Sequence, residues 1–242
     1  MKPEIQELVD VSRFYGQKKE FVIAGGGNTS YKDETHLWIK ASGINLGNIT
    51  ENGFCVLDRH KLNDIPKQQF SDDSATREEQ VKNALLNARV NPESGLRPSV
   101  ETSLHNLFSY SFVVHTHMTL VNGLMCSKQA EEKTLELFGE KVLYVPYSDP
   151  GFVLFTLIAE RIRFYNEKFG RDPQIVLIQN HGIFVAANSI DEIKGIYAGV
   201  ESKLKSAFPV FPVNEELPAG EIIPKVLPAI RILLSGEKLK VA

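Results

Sequence analysis

Ser99–His117 reads SVETSLHNLFSYSFVVHTH. It joins a carboxylate, Glu101, to two histidines one residue apart, His115 and His117. Phe112, Val113 and Val114 precede the histidines and are apolar, two of them β-branched, which favours a strand. Residues i and i+2 of a strand point to the same face, so the two imidazoles project side by side with Cα atoms about 6.6 Å apart. Two rings at that separation can converge on one cation. Upstream, Val100, Leu104, Leu107 and Phe108 fall at i, i+4, i+7 and i+8, an apolar helix stripe. Pro98 suits a first helical turn, where its missing N–H costs nothing. The spacing predicts a helix with Glu101 in its first turn and His105 one turn later, then a short turn and the histidine strand.

A cation held by His115 and His117 needs a third ligand from elsewhere. Of the six histidines in the chain, His181 in QNHGIF, in a tight turn between apolar runs, is the best remaining candidate. Three protein ligands with one position open to water or substrate is the catalytic zinc arrangement, whereas four would close the site. Cys55 and Cys126 have no CxxC or CxxH spacing, so a thiolate zinc site is disfavoured. His105 reads either as a supporting residue behind Glu101 or as an ordinary helix histidine. His36 and His60 sit in polar surroundings and read as surface residues, and Lys40 beside Ser42 reads either as an aid to anion binding or, by default, as a solvated strand end.

Working outward, residues 3–20 read as an amphipathic helix. Phe21 to Ala24 reads as a short strand and Gly25-Gly26-Gly27 as a loop. Asn28, Thr29 and Ser30 add donors to that loop. Such a loop can cradle an anion through backbone N–H groups or can be a plain hairpin turn. It matches neither GxGxxG nor a P-loop, and no helix clearly follows it. Further strands are expected at His36–Ala41, Gly53–Leu57, Leu143–Val145, Ile175–Ile178 and Ile183–Ala186. The last two form a hairpin with His181 near its tip. Residues 59–73 read as loop. Helices are expected around Val81–Ala88, Leu120–Met125 and 129–138. Another is expected from an Asp149 cap and first-turn Pro150 to Phe169, and one from the Ser189/Glu192 capping box to Ser206. Several strands pair as hairpins. The fold class is therefore mixed α/β, a mainly antiparallel central sheet flanked by helices.

The 242 residues suit one domain over 1–207, followed by a proline-rich tail over 208–242 whose unfinished look fits a junction to a further domain. Net charge is −3 with no long basic run, which argues against a nucleic-acid partner. The N-terminus lacks the apolar core of a signal peptide, and no apolar run approaches the ~20 residues that span a bilayer. Two distant cysteines suit a reducing cytoplasm.

The ordered set GGGNTS, KASG, PSVETSLH, HTH and QNHG, spread over about residues 5–205, resembles the class II aldolase/adducin head domain family. The longer GGGNTS and SVET forms look most like the aldolase part of the bifunctional rhamnulose-1-phosphate aldolase/alcohol dehydrogenase group. The resemblance implies a zinc-dependent aldolase cleaving a ketose 1-phosphate of the rhamnulose or fuculose type into dihydroxyacetone phosphate and an aldehyde. It also implies residue roles. His115, His117 and His181 match the zinc ligands. Glu101 matches the catalytic acid/base, which can also touch the metal. Asn28, Thr29, Ser42, Gly43 and Ser99 match the phosphate pocket. Simple family aldolases carry two serines before the glutamate, where this chain has Ser99 and Val100. The family's tyrosine acid has no assigned position here. Homo-oligomers, tetramers among them, are the family's usual assemblies. Sugar-phosphate 4-epimerases, dehydratases and non-catalytic adducin-like scaffolds on this fold are the alternative readings, and no dinucleotide fingerprint supports a dehydrogenase.

Overall fold

Amphipathic periodicity starts the chain as helix α1, Pro3–Gly16, which buries Leu8, Val9, Ser12 and Tyr15. The computed structural model describes residues 2–208; beyond Phe208, the expected proline-rich tail lies outside the described residues. Helix α1 stops earlier than its periodicity predicts, because Gly16 packs directly on the backbone of Gly47, with no room for a side chain. The elements that follow are β1 (Asn28–Lys32), β2 (His36–Lys40), β3 (Phe54–Asp58), α2 (Arg59–Asp64) and α3 (Ser74–Asn87). Next come α4 (Thr102–Leu107), β4 (Phe112–Thr116), α5 (Thr119–Met125), α6 (Ala130–Phe138) and β5 (Leu143–Val145). The chain continues with α7 (Phe152–Phe169), β6 (Ile175–Ile178), β7 (Gly182–Ala187) and α8 (Ile190–Ala207).

The seven strands form one sheet in the order β3-β2-β1-β4-β7-β6-β5. Only β5–β6 is parallel; the other five pairings are antiparallel. The mixed, mainly antiparallel sheet read from the sequence is therefore observed. Alternation along β4 separates two apolar layers. Phe112 and Val114 join α1, α5 and α8 on one face. Val113 joins α4 and α7 on the other. A third cluster packs α2 and α3 against β2 and β3. Tyr197 carries a polar group into the first layer. Its buried hydroxyl donates to the Val114 carbonyl at 3.1 Å and lies 3.1 Å from Thr116 Oγ1, pinning α8 to β4.

Several local expectations change. Phe21–Ala24 forms a turn, and the first strand begins instead at Asn28. Phe21 and Val22 are buried against the core, so their apolar character reflects packing and not strand pairing. Residues 59–67 are helical and not loop, because the Asp58 carboxylate accepts from the His60 and Lys61 N–H groups and caps α2. Helix α4 begins at Thr102, so Glu101 stands just ahead of it and not in its first turn. Val100 is 76% exposed and takes no part in the helix stripe. Helix α7 starts after Gly151, whose φ of 109° no L-residue adopts readily. Its first free N–H, on Phe152, is capped by Glu78 from α3 and not by Asp149. Lys40 is buried, not solvated, with its Nζ donating to the Ile44 carbonyl at 2.8 Å.

The Tyr197 hydroxyl supplies a stability test. Tyr197→Phe leaves the ring in place and orphans the Val114 and Thr116 partners. Urea unfolding is expected to show a loss of about 1–2 kcal/mol with little change in slope. An unchanged midpoint would mean that this link contributes nothing.

Candidate metal and acid–base site

Antiparallel register builds the centre of the site. Asn28 of β1 and Phe184 of β7 are the cross-strand partners of His115 on β4. All three therefore share one face of the sheet. Phe184 stacks on the His115 ring at 4.0 Å between centroids and 17° between planes. His117 follows the last residue of β4 on the same face. Between β6 and β7 the chain turns through Gln179-Asn180-His181. Asn180 takes φ of 56°, a left-handed geometry that asparagine tolerates. Its N–H donates to the Met125 carbonyl, fixing the turn.

Three glycines allow the histidines to approach. A Cβ on Gly182 would lie 2.5 Å from the Thr116 carbonyl oxygen and 3.1 Å from His117 Cδ2. At Gly27, φ is 71° and a Cβ would lie 2.9 Å from the His115 carbonyl oxygen. A Cβ at the neighbouring Gly26 would lie 3.1 Å from His117 Nδ1. The glycine run, read as an anion cradle or hairpin turn, leads into β1 and makes room for the two histidines.

His115, His117 and His181 each bring one ring nitrogen within 4.8 Å of the others. His115 Nε2 and His117 Nε2 are 3.1 Å apart. Glu101 Oε1 is 2.9 Å from His181 Nε2 and 3.5 Å from His115 Nε2. His115 Nδ1 donates to the Ile183 carbonyl at 2.9 Å, which leaves Nε2 as the lone-pair nitrogen. Burial, opposed by the Glu101 charge, pushes His115 down to about 3, so its ring is neutral at physiological pH. Burial also lowers His117, with the neighbouring His181 adding to the effect. Neutral imidazoles with converging nitrogens are the donor set that a borderline divalent cation takes. This chemistry fits a metal held by His115, His117 and His181, with Glu101 as an adjacent oxygen donor.

Behind Glu101 runs a hydrogen-bond chain. The Asn28 amide donates to Glu101 Oε2 and, at 3.3 Å, to Ser99 Oγ. Asn28 Oδ1 is bonded to His105 Nε2, and His105 Nδ1 lies 2.7 Å from Ser30 Oγ. Burial holds His105 well below its ordinary value, hence neutral. One assignment then satisfies every member: Ser30 donates to Nδ1, Nε2–H donates to Asn28, and Asn28 donates to Glu101. His105 is thus a buried supporting residue, the first of its two sequence readings. Lys32, missed in the sequence, donates to the His105 carbonyl at 2.8 Å. Burial pushes its ammonium well down. Its alternation with Asn28 and Ser30 on β1 is the signal that could have found it. At Glu101, burial raises the carboxyl, while His115, His181 and the Asn28 amide together outweigh burial and hold it below the usual carboxylate range.

Of the residues matched to a phosphate pocket, Asn28 and Ser99 stand beside Glu101. Ser42 is tied to this region through its N–H, which donates to the Arg97 carbonyl at 2.8 Å. Gly43 follows it at φ of 84°, with open space where a side chain would be. Thr29 does not join them. It alternates to the opposite face of β1, fully buried, with its hydroxyl 2.6 Å from Ser12 Oγ of α1. A hydroxyl there cannot reach a ligand on the Glu101 face.

With this geometry in view, the comparisons are specific. The family model described as Class II Aldolase and Adducin N-terminal domain matches residues 6–206. The chain belongs to this family. "Uncharacterized oxidoreductase YuxG" of Bacillus subtilis strain 168 is 30% identical over 190 residues, 74% of this chain and 26% of that protein. The chain thus spans about a quarter of that relative's length. The L-fuculose phosphate aldolase of Methanococcus maripaludis strain C7 is 25% identical over 187 residues, covering 72% of this chain and 79% of that one. Among solved structures, the N-terminal class II aldolase domain of a conserved protein from Thermoplasma acidophilum superposes with a TM-score of 0.70. That pair is 25% identical, with 86% of this chain and 95% of that one covered. Family members typically use a divalent metal, and the three-histidine group stands ready for one. Among the described residues, no helix is long and apolar enough to cross a membrane.

Gly182→Ala tests the close approach. The added methyl meets backbone at Thr116, so the turn must move and carry His181 with it. Metal titration is expected to show weaker divalent binding than in the parent, with a lower melting temperature. Parent-like affinity and stability would show that the turn has slack.

Proposed function

We propose that this chain is a zinc-dependent class II aldolase. It cleaves a ketose 1-phosphate of the rhamnulose or fuculose type into dihydroxyacetone phosphate and an aldehyde through an enediolate. One observation carries the reading: a partly buried carboxylate, Glu101, points the same oxygen at His181 and His115 of the three-imidazole group. In the cleavage the C3–C4 bond breaks. C4 keeps its oxygen as the aldehyde carbonyl while its hydroxyl proton passes to solvent, the bonding pair remains on the dihydroxyacetone phosphate fragment, and Glu101 takes the replacing proton from solvent. Bound zinc would supply Lewis-acid stabilisation of that negative charge.

The chain's own residues handle the proton. Asn28 occupies Glu101 Oε2, leaving Oε1 as the oxygen that holds and delivers a proton to the enediolate carbon. The chain from Ser30 through His105 and Asn28 keeps the carboxylate from rotating away. Such positioned proton transfer typically contributes ~10²–10⁴-fold in rate. No lysine Schiff base is called for, and Lys32, the buried lysine nearest this network, is committed to the His105 carbonyl. The match to an aldolase of similar length supports the reaction class. The reading places the enzyme in the cytoplasm as a homo-oligomer, in keeping with two free cysteines, Cys55 and Cys126.

Glu101→Gln is expected to retain metal by elemental analysis while release of the two fragments falls by roughly 10²–10⁴-fold. Full activity in that variant would remove Glu101 from the mechanism. Chelation is expected to abolish cleavage by the parent, and added zinc to restore it. Product analysis separates the rivals: loss of water marks a dehydratase, and inversion at C4 with no fragment release marks an epimerase.

A further inference from the structure

Three side chains on one face of β1 converge on a single residue of α4. Asn28, Ser30 and Lys32 alternate along the strand, and all three are buried. Asn28 Oδ1 is bonded to His105 Nε2, Ser30 Oγ lies 2.7 Å from His105 Nδ1, and Lys32 Nζ donates to the His105 carbonyl at 2.8 Å. The His105 N–H donates to the Glu101 carbonyl at 3.1 Å. Every polar atom of His105 is thus assigned, and its backbone stands one helical turn from Glu101. Ring and main chain are gripped separately. Asn28 and Ser30 fix the imidazole, and Lys32 alone of the three holds the backbone of the helix.

Lysine is an unfavourable residue for this position. Lys32 is 3% exposed, and among the described residues no carboxylate pairs with it. Burial and the Arg59 charge disfavour its ammonium, against the pull of Asp172. A methionine, also unbranched, would fill the slot without desolvating an amine. Packing therefore does not call for lysine here; a donor aimed at the His105 carbonyl does. The amine keeps an N–H to donate whether or not it carries its charge.

We propose that Lys32 is a positioning residue for Glu101: by tying the His105 carbonyl to β1 it sets where the start of α4 stands and so where Glu101 Oε1 points. The inference rests on the proposed aldolase reading for its kinetic consequence and on geometry for its structural one. Helix α4 has six residues, too few to hold its place by its own hydrogen bonds, so ties from outside decide its position. A shift of α4 along β1 would draw Oε1 away from His181 Nε2, now 2.9 Å distant. The three imidazoles, carried by β4 and the turn before β7, would stay together. Lys32 therefore acts on proton transfer and not on substrate affinity.

The test uses the full chain loaded with zinc, with Lys32→Met and Lys32→Gln beside the parent. Methionine removes the donor; glutamine keeps an N–H and drops the charge. Lys32→Met is expected to melt at or above the parent's temperature, as when a buried charged group gives way to an apolar side chain of similar volume. Its kcat for a ketose 1-phosphate falls roughly 10- to 100-fold, as for a small misplacement of a reacting group. KM stays within about threefold, as for an interaction felt only in the transition state. Lys32→Gln recovers part of the lost kcat. Crystal structures of the parent and Lys32→Met, which need no turnover, show the Glu101–His181 contact lengthened in the variant. Parent-like kcat in Lys32→Met, or Glu101 unmoved against His181, overturns the assignment. A steep fall in melting temperature in both variants also overturns it, since Lys32 would then serve folding. A parent that cleaves no phosphorylated ketose removes the aldolase reading, and the structural comparison still decides the positioning role.

Discussion

Strand β4 is paired on both edges, to β1 on one side and β7 on the other. That double pairing sets the site. Its register places Asn28, His115 and Phe184 in one cross-strand row, so the amide that holds Glu101, an imidazole of the three-histidine group and a stacking ring arrive together. A one-residue slip of either neighbour would turn Asn28 or Phe184 to the opposite layer. The opposite face of β4 is equally committed. Val114 lies in the first apolar layer, and the Tyr197 hydroxyl bonds the Val114 carbonyl and Thr116. Rigidity of the histidine strand therefore comes from packing that never touches the site.

Electrostatics follow from this burial. The interior disfavours charge on His115 and His105, and both are held neutral. Glu101 remains the anion because its oxygens receive donors from Asn28 and His181. The result is a concentration of ring nitrogens facing one point, with a carboxylate beside them. Such an arrangement is poor for folding stability and suited to holding a divalent cation. The supporting chain behind Glu101 satisfies every polar atom it buries, which is the condition for a buried polar network to impose one geometry.

Much of this was legible in the linear order of residues. HTH on an apolar β-branched run reads as two side chains on one face, and the QNHG turn between two apolar runs reads as a hairpin tip; both are local patterns of period two. The mainly antiparallel sheet followed from the same hairpin signals. The misreadings are equally physical. Phe21 and Val22 look like strand residues, but bury themselves without pairing. Thr29 looks like a ligand-binding hydroxyl beside Asn28, yet adjacent strand residues face opposite ways. Lys40 reads as a solvated strand end, yet its buried Nζ donates to the nearby Ile44 carbonyl, while the buried Lys32 meets a carbonyl on His105, 73 residues along the chain.

Local chemistry thus determined which residue types were available: three candidate ligands, one carboxylate, the glycines, and the strand and helix periods that carry them. Those features depend on neighbours within a few positions, where backbone geometry alone governs the outcome. Non-local pairing settled which of them meet. His181 reaches His115 because β7 pairs with β4, and Asn28 reaches Glu101 because β1 pairs with β4 from the other side. His105 becomes a support for Glu101 only when Ser30 and Asn28 arrive from 75 and 77 residues away along the chain. No periodicity encodes such distances, since they are set by strand order and register, which in turn answer to the burial of both faces of the whole sheet.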